Sequence, residues 1–213
     1  MSQILLYGAG GHCHIVRDAL LAQNHEVNFI FDDFWDSDCE KIPKVEIIPY
    51  SKNFQSENLV HISIGDNWTR CRISNEIAHS LYTVIHLKSI VSENILEMGI
   101  GSFCGAGSVI QTQSRIGRGV IINTLAIVEH HVEIGNFVHI APSAVLCGGV
   151  KIGSGTLIGS NAVIEPGVSV GKGCKIGSGS VIRENLPDGT VAVGSPAKII
   201  RIEAGSAMRW KDI

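Results

Sequence analysis

The sequence lacks the marks of several common protein classes. Seventeen basic residues stand against 20 acidic ones, a formal net charge of −3, with no basic tail and no basic-aromatic interleaving. That balance argues against a nucleic-acid partner. No apolar run approaches the roughly 20 residues of a membrane span. The opening MSQILLYGAGGH has neither the charged n-region nor the long apolar stretch of a secretory signal, so a cytoplasmic location is expected. The six cysteines (Cys13, Cys39, Cys71, Cys104, Cys147, Cys174) form no CxxC pair and no metal spacing, and read as reduced core or turn thiols. What the chain has in excess is glycine, 24 residues in 213, and in the second half many of them follow an aliphatic residue.

That placement exposes a repeat. Stepping by six from Ile116 gives Ile122, Val128, Ile134, Ile140, Leu146, Ile152, Ile158, Ile164, Val170, Ile176 and Ile182, and one step back gives Ile110. With apolar residues near half the chain, twelve successive hits fall well under about one in a thousand by chance. Two residues before each aliphatic lies a second column, Ser114, Val120, Ala126, Val132, Val138, Ala144, Val150, Thr156, Ala162, Val168, Cys174 and Ser180, every member small or β-branched. Short β-branched runs between tight turns favour extended strands, and glycine supplies the positive φ of sharp corners. One large aliphatic per six residues can fill a narrow coil, and stacked coils bury a continuous core. The reading is a parallel β-helix over residues 85–187, less regular before about Arg115, followed by a C-terminal tail at 188–213.

Residues 1–84 have a different texture. The apolar run Ile4–Tyr7 meets Gly8-Ala9-Gly10-Gly11-His12, and a helical stretch groups Ile15, Ala19, Leu20 and Ala22 on one side. A second strand, Val27–Phe31, ends in Asp32-Asp33. Strand, glycine turn, helix and strand is the start of a Rossmann-like α/β nucleotide-binding unit. The glycines let a phosphate or sugar approach a helix N-terminus, and an acid closing the second strand commonly faces a ribose or base. The full GxGxxG fingerprint is broken by Cys13. Ser63-Ile64-Gly65-Asp66-Asn67 reads as another strand end, with a helix from about Trp68 to Leu81.

The repeat resembles the hexapeptide acyltransferases, in which three hexapeptides make one coil of a left-handed triangular prism. YGAGGH, FDD, IGDNWTR, INTLAIVEHHVEIG and VGSPAKII together resemble the sialic acid O-acetyltransferase family. More narrowly, they are similar to its N-acetyltransferases of nucleotide-linked 4-amino-4,6-dideoxy sugars, of the bacillosamine, perosamine or viosamine type. The resemblance covers nearly the whole chain. It implies a homotrimer that uses acetyl-CoA as co-substrate and no metal, and whose product serves surface polysaccharide (lipopolysaccharide O-antigen) or glycan synthesis. The N-terminal domain would hold the nucleotide-linked amino sugar through Gly8, Gly10, Gly11, His12, Asp32, Asp33, Gly65 and Asn67. Acetyl-CoA would lie between neighbouring prisms.

Acetyl transfer from a thioester to an amine needs a base for the amine proton and a donor for the developing oxyanion. By its place in the motif His130 is the general base. The acid expected after it is replaced by His131, leaving Glu129 or Glu133 to fix the imidazole tautomer. His139 lines the acetyl-CoA groove, supports the site from the adjacent subunit, or simply packs. Gly148 supplies a backbone N–H to the thioester carbonyl or only turns a corner. Asn123 contacts the sugar, positions the site, or stacks inward. Ser195, Pro196 and Lys198, in the closing GSPAK, would lie beside the adenine and phosphates of acetyl-CoA. Three further readings compete. One is a γ-type carbonic anhydrase, with His130, His131 and His139 as zinc ligands. The second is a sialic acid or other sugar O-acetyltransferase. The third is a sugar-nucleotide-binding scaffold without turnover.

Overall fold

A computed structural model describes residues 3–35, 42–211 and 213. Cys39 lies outside them. The N-terminal unit is β1 (Ile4–Tyr7), α1 (Gly11–Ala22), β2 (Phe29–Phe31), β3 (Glu46–Ile48), β4 (Leu59–Ile62) and α2 (Asn67–Glu76). Its four strands pair in parallel in the order β3-β2-β1-β4. This is a Rossmann-like sheet with β1 near its centre. β1 is buried at every position.

Two local expectations change. The buried face of α1 is Cys13, Val16, Ala19 and Leu20. Ile15 is exposed and Ala22 with it. The helix begins at Gly11, and its phase from there sets 13, 16 and 20 on one side. Helix α2 stops at Glu76 because Ile77 is extended. The chain then turns so that Leu81 bridges to Val60 in parallel, extending the sheet instead of the helix.

The second unit is a parallel β-solenoid of seventeen two-residue strands, β5 (Val84–Ile85) to β21 (Val181–Ile182). Pairing joins residues 18 apart, as in Arg115↔Glu133↔Lys151↔Ser169. Three hexapeptides therefore make one coil. The aliphatic column from Ile110 to Ile182 is buried throughout, and the small column with it. Polar members of the small column are satisfied internally: the Ser114 hydroxyl donates to Glu129 O, and the Thr156 hydroxyl to Gly171 O. Upstream, two coils precede Ile116, with one extra residue between β6 (Ile90–Val91) and β7 (Glu97–Met98). A hairpin of β22 (Thr190–Gly194) and β23 (Ala197–Ile202) closes the far end, followed by α3 (Ala204–Met208). Beyond it the buried Trp210 seats its indole over Gly155, where an added Cβ would fall 1.8 Å from the ring.

The residue before each core aliphatic points outward, so the three faces of the prism differ. One presents Val84, Phe103, Ile121 and His139; the first three pack into the core of the N-terminal unit, against Ile4, Leu6, Cys13 and Val16 among others. The second presents Glu97, Arg115, Glu133, Lys151 and Ser169. The third presents Ile90, Val109, Ile127, Val145, Val163 and Val181.

Candidate active site

Gly8 ends β1 at φ +99°, where an added Cβ would lie 2.4 Å from Ile64. Gly10 caps α1 without a side-chain bond, and a Cβ on Gly10 or Gly11 would meet nothing within 4 Å. The helix N-terminus thus opens onto free space. Asp32 ties this turn to β2: one carboxylate oxygen accepts from the Ala9 N–H (2.8 Å) and the other from the Phe34 N–H (3.0 Å). The resulting cleft, about 390 Å³, is lined by Ala9, Gly10, Gly11, His14, Asp32, Phe34 and Trp35.

Asp33 faces elsewhere. It accepts from the Tyr7 hydroxyl and the Tyr50 N–H, and so shapes the loop behind the cleft. His12 also turns away. Its ring stands edge-on to Phe103 (centroids 5.2 Å apart) and 6.4 Å from His139, and burial pushes it down to about 3. Residues two apart point to opposite sides of a helix. His14 therefore takes the cleft position that the motif suggested for His12.

Gly65 and Asn67 bolt the two units together. The Asn67 amide donates to Gly155 O and Thr156 O (3.0 and 3.2 Å) and accepts from Arg70 (2.9 Å). Arg70 is fully buried, and among the described residues it has no carboxylate hydrogen-bond partner. It donates to Gly119 O, Ile64 O, Gly65 O and Phe137 O at 2.7 to 3.2 Å. Burial lowers it to about 9, which leaves it charged at neutral pH. The same junction holds His139, which bonds the Gly65 backbone and the Asn123 amide (3.1 Å to Nε2). Nε2 therefore accepts, and the imidazole is neutral; burial, with Arg70 nearby, pushes it down to about 4. The Asn123 oxygen accepts from the Thr124 N–H.

His130 and His131 occupy the corner between β12 (Ile127–Val128) and β13 (Glu133–Ile134). Both are exposed, and their Nδ1 atoms are 3.0 Å apart. His131 sits at φ +61°, which turns its ring back toward His130. The expected glutamates are engaged otherwise. Glu133 pairs with Lys151 at 3.0 Å, and Glu129 accepts from Ser114 through its backbone carbonyl. The His130 ring rests on Gly148, where an added Cβ would lie 2.5 Å from Cε1 and 2.8 Å from Nε2. Among the described residues the Gly148 N–H has no acceptor. His139 lies on a different face, so the three histidines do not converge.

Further along the same edge, Pro196 and Lys198 line a hollow of about 550 Å³ with Glu165, Arg183 and Glu184. Ser195 is exposed beside it. Glu184 lies three coils below His130, about 15 Å at the usual strand spacing. One edge of the prism therefore carries a histidine, a free N–H and, at its far end, a lysine.

Residues 3–77 match the PglD N-terminal domain, and residues 149–184 the bacterial transferase hexapeptide (six repeats). PerB from Caulobacter crescentus, solved in complex with CoA and GDP-perosamine, is 31% identical. The match covers 94% of this chain and 98% of that one, with a TM-score of 0.86. This chain belongs to the nucleotide amino-sugar N-acetyltransferase family. The acetyltransferase domain of PglB from Neisseria gonorrhoeae FA1090, in complex with acetyl coenzyme A, is 30% identical over 93% of this chain and 98% of that one (TM-score 0.85). WeeI from Acinetobacter baumannii AYE, at 23% identity, shares the fold (TM-score 0.79). For a member of this family, the residues that sequence reasoning passed over are His14, Phe34, Trp35 and Arg70. Phe34 and Trp35 directly follow the flagged Asp32-Asp33 pair, and that adjacency was the available signal.

Proposed function

We propose that this chain transfers the acetyl group of acetyl-CoA to the 4-amino group of a nucleotide-linked 4-amino-4,6-dideoxy sugar. The observation that carries the reading is the prism edge: His130 exposed over Gly148, whose N–H has no acceptor among the described residues, within a fold that PerB, solved with CoA and GDP-perosamine, matches over 94% of this chain. The nucleotide part of the acceptor fits the cleft at Gly10, Gly11 and Asp32, and acetyl-CoA fits the edge from Gly148 to Lys198. The neutral amine attacks the thioester carbonyl carbon. The Gly148 N–H stabilises the oxyanion, His130 Nε2 takes the amine proton, and the thiolate leaves with the C–S electron pair.

The working unit is a homotrimer. The face running from Ile90 through Ile127 and Val145 to Val181 is wholly aliphatic, with Ile90 exposed and the rest only half-buried, as an apolar patch that marks an interface would be. His130 follows Ile127 by three residues, so a copy seated there walls its groove. No helix among the described residues is long and apolar enough to cross a membrane. The reaction is placed in the cytoplasm, feeding surface polysaccharide or glycan synthesis.

The test is thiol release from acetyl-CoA with a panel of UDP-, dTDP- and GDP-linked 4-amino sugars, with sialic acid as the control acceptor. An N-acetylated amino sugar is expected. Acetylation of sialic acid alone would overturn the reading.

A further inference from the structure

The Nδ1···Nδ1 contact of 3.0 Å between His130 and His131 constrains both rings. Two neutral imidazoles can share such a contact only if one brings a hydrogen and the other a lone pair. If His131 donates, His130 carries its own hydrogen on Nε2 and has no lone pair for an amine proton. If His130 donates, its Nε2 is bare, and among the described residues that atom has no hydrogen-bond partner. The two rings therefore form a tautomer lock, and the state of one dictates the state of the other.

We propose that His131 is the positioning residue of this enzyme, accepting from His130 Nδ1–H and so keeping the lone pair on His130 Nε2. This rests on the acetyl-transfer reading above. The surrounding charges leave the role to His131. Glu133, from the strand after the corner, is tied to Lys151, Glu165 pairs with Arg183 at 3.4 Å, and among the described residues neither His130 nor His131 has a hydrogen bond to the Glu129 carboxylate. A positive φ lets position 131 turn its side chain back onto the preceding residue, and Leu125 and Phe137 show that this corner tolerates large side chains at φ +59° and +54°. In the reaction the new C–N bond forms and His130 Nε2 takes the nitrogen's proton. Nδ1–H stays on His130, hydrogen-bonded to His131 Nδ1, the C–S bond breaks to leave the CoA thiolate, and the His130 imidazolium then releases its Nε2 proton to water, which restores the starting tautomer. One proton passes from amine to solvent.

The first test needs no turnover. Ring ¹⁵N spectra of the native chain above its histidine titrations, with His130→Gln for assignment, should show His130 protonated at Nδ1 and bare at Nε2. The reverse tautomer overturns the proposal, whether or not the acceptor panel finds a substrate. The second test is kinetic. His131→Leu should lower kcat about ten- to a hundred-fold with acetyl-CoA affinity unchanged. His131→Asn, whose oxygen can accept and which favours left-handed backbone, should recover most of that loss. His131→Glu should move the acidic limb of kcat/KM to higher pH, because a carboxylate favours imidazolium. A native kcat in His131→Leu, or an unmoved limb in His131→Glu, would refute the assignment.

Discussion

Gly148→Ala isolates the geometry of His130 from the stability of the coil. Gly148 has no left-handed φ, so alanine adds no backbone strain. Its methyl would sit 2.5 Å from His130 Cε1 and 2.8 Å from Nε2, where ordinary contact begins near 3.4 Å. The ring must retreat by about an ångström. Because His130 is exposed, it can do so into solvent, and the unfolding free energy should change by no more than about 0.5 kcal/mol. The reacting nitrogen is displaced by the same ångström, and the contact with His131 is lost. A misplacement of that size costs on the order of 10²-fold in rate. Gly167→Ala is the converse control, one coil further along the same corner. Its φ is +73° and nothing lies within 4 Å, so it should cost about 1 kcal/mol of stability and leave kcat within about two-fold. The assays are thermal unfolding and steady-state thiol release on trimeric protein. A Gly148→Ala enzyme with native kcat would show that the ring need not stand where it does, and His130 would lose its role as base.

Other consequences are as concrete. Val145→Lys, at the middle of the aliphatic face, should yield monomers by light scattering with the solenoid's circular dichroism retained; an intact trimer would move the interface to another face. Asp32→Asn removes the charge that accepts from Ala9 and Phe34, and should weaken nucleotide-sugar binding at least about ten-fold by calorimetry while acetyl-CoA binding holds; equal loss of both ligands would contradict separate pockets. Stability should also fall on acidification. Burial depresses His12 to about 3 and His61 and His139 to about 4. Below the unfolded value near 6.5 the unfolded chain binds protons that the native state refuses. Stability is thus lost as pH falls from about 6.5 to 4, at up to about 4 kcal/mol per pH unit for three protons, and the loss levels off once the native rings titrate. Urea midpoints at about pH 7 and 5 would measure it, and a flat profile would exclude neutral burial of these rings.

The solenoid could be read from the chain because its constraint is local and repeated. Each coil needs one large aliphatic inside and a small residue at the bend, so the period survives every variation of the outward residue. The outward residues were equally visible, but their meaning was not. Ile127, Val145 and Val163 become one stripe only when pairing at 18 residues places them on successive coils. The N-terminal unit was readable to the level of its strands and glycine turn. It failed at helical phase, where the start of α1 at Gly11 decides that His14 meets the cleft and His12 the junction. Arg70 closes the IGDNWTR motif, but nothing in the sequence marked it as buried. In sequence it is one polar residue on a polar helix, and its partners Gly119 and Phe137 lie 49 and 67 residues away. The HH pair lay between these cases. Its place in the motif marked His130, but the orienting role proposed for His131 rests on a backbone angle at that residue, which turns its exposed ring toward His130 while Lys151 draws Glu133 off along the neighbouring face. A repeat thus announces its core through period, whereas its chemistry sits at corners, where a single φ decides which neighbour a side chain meets.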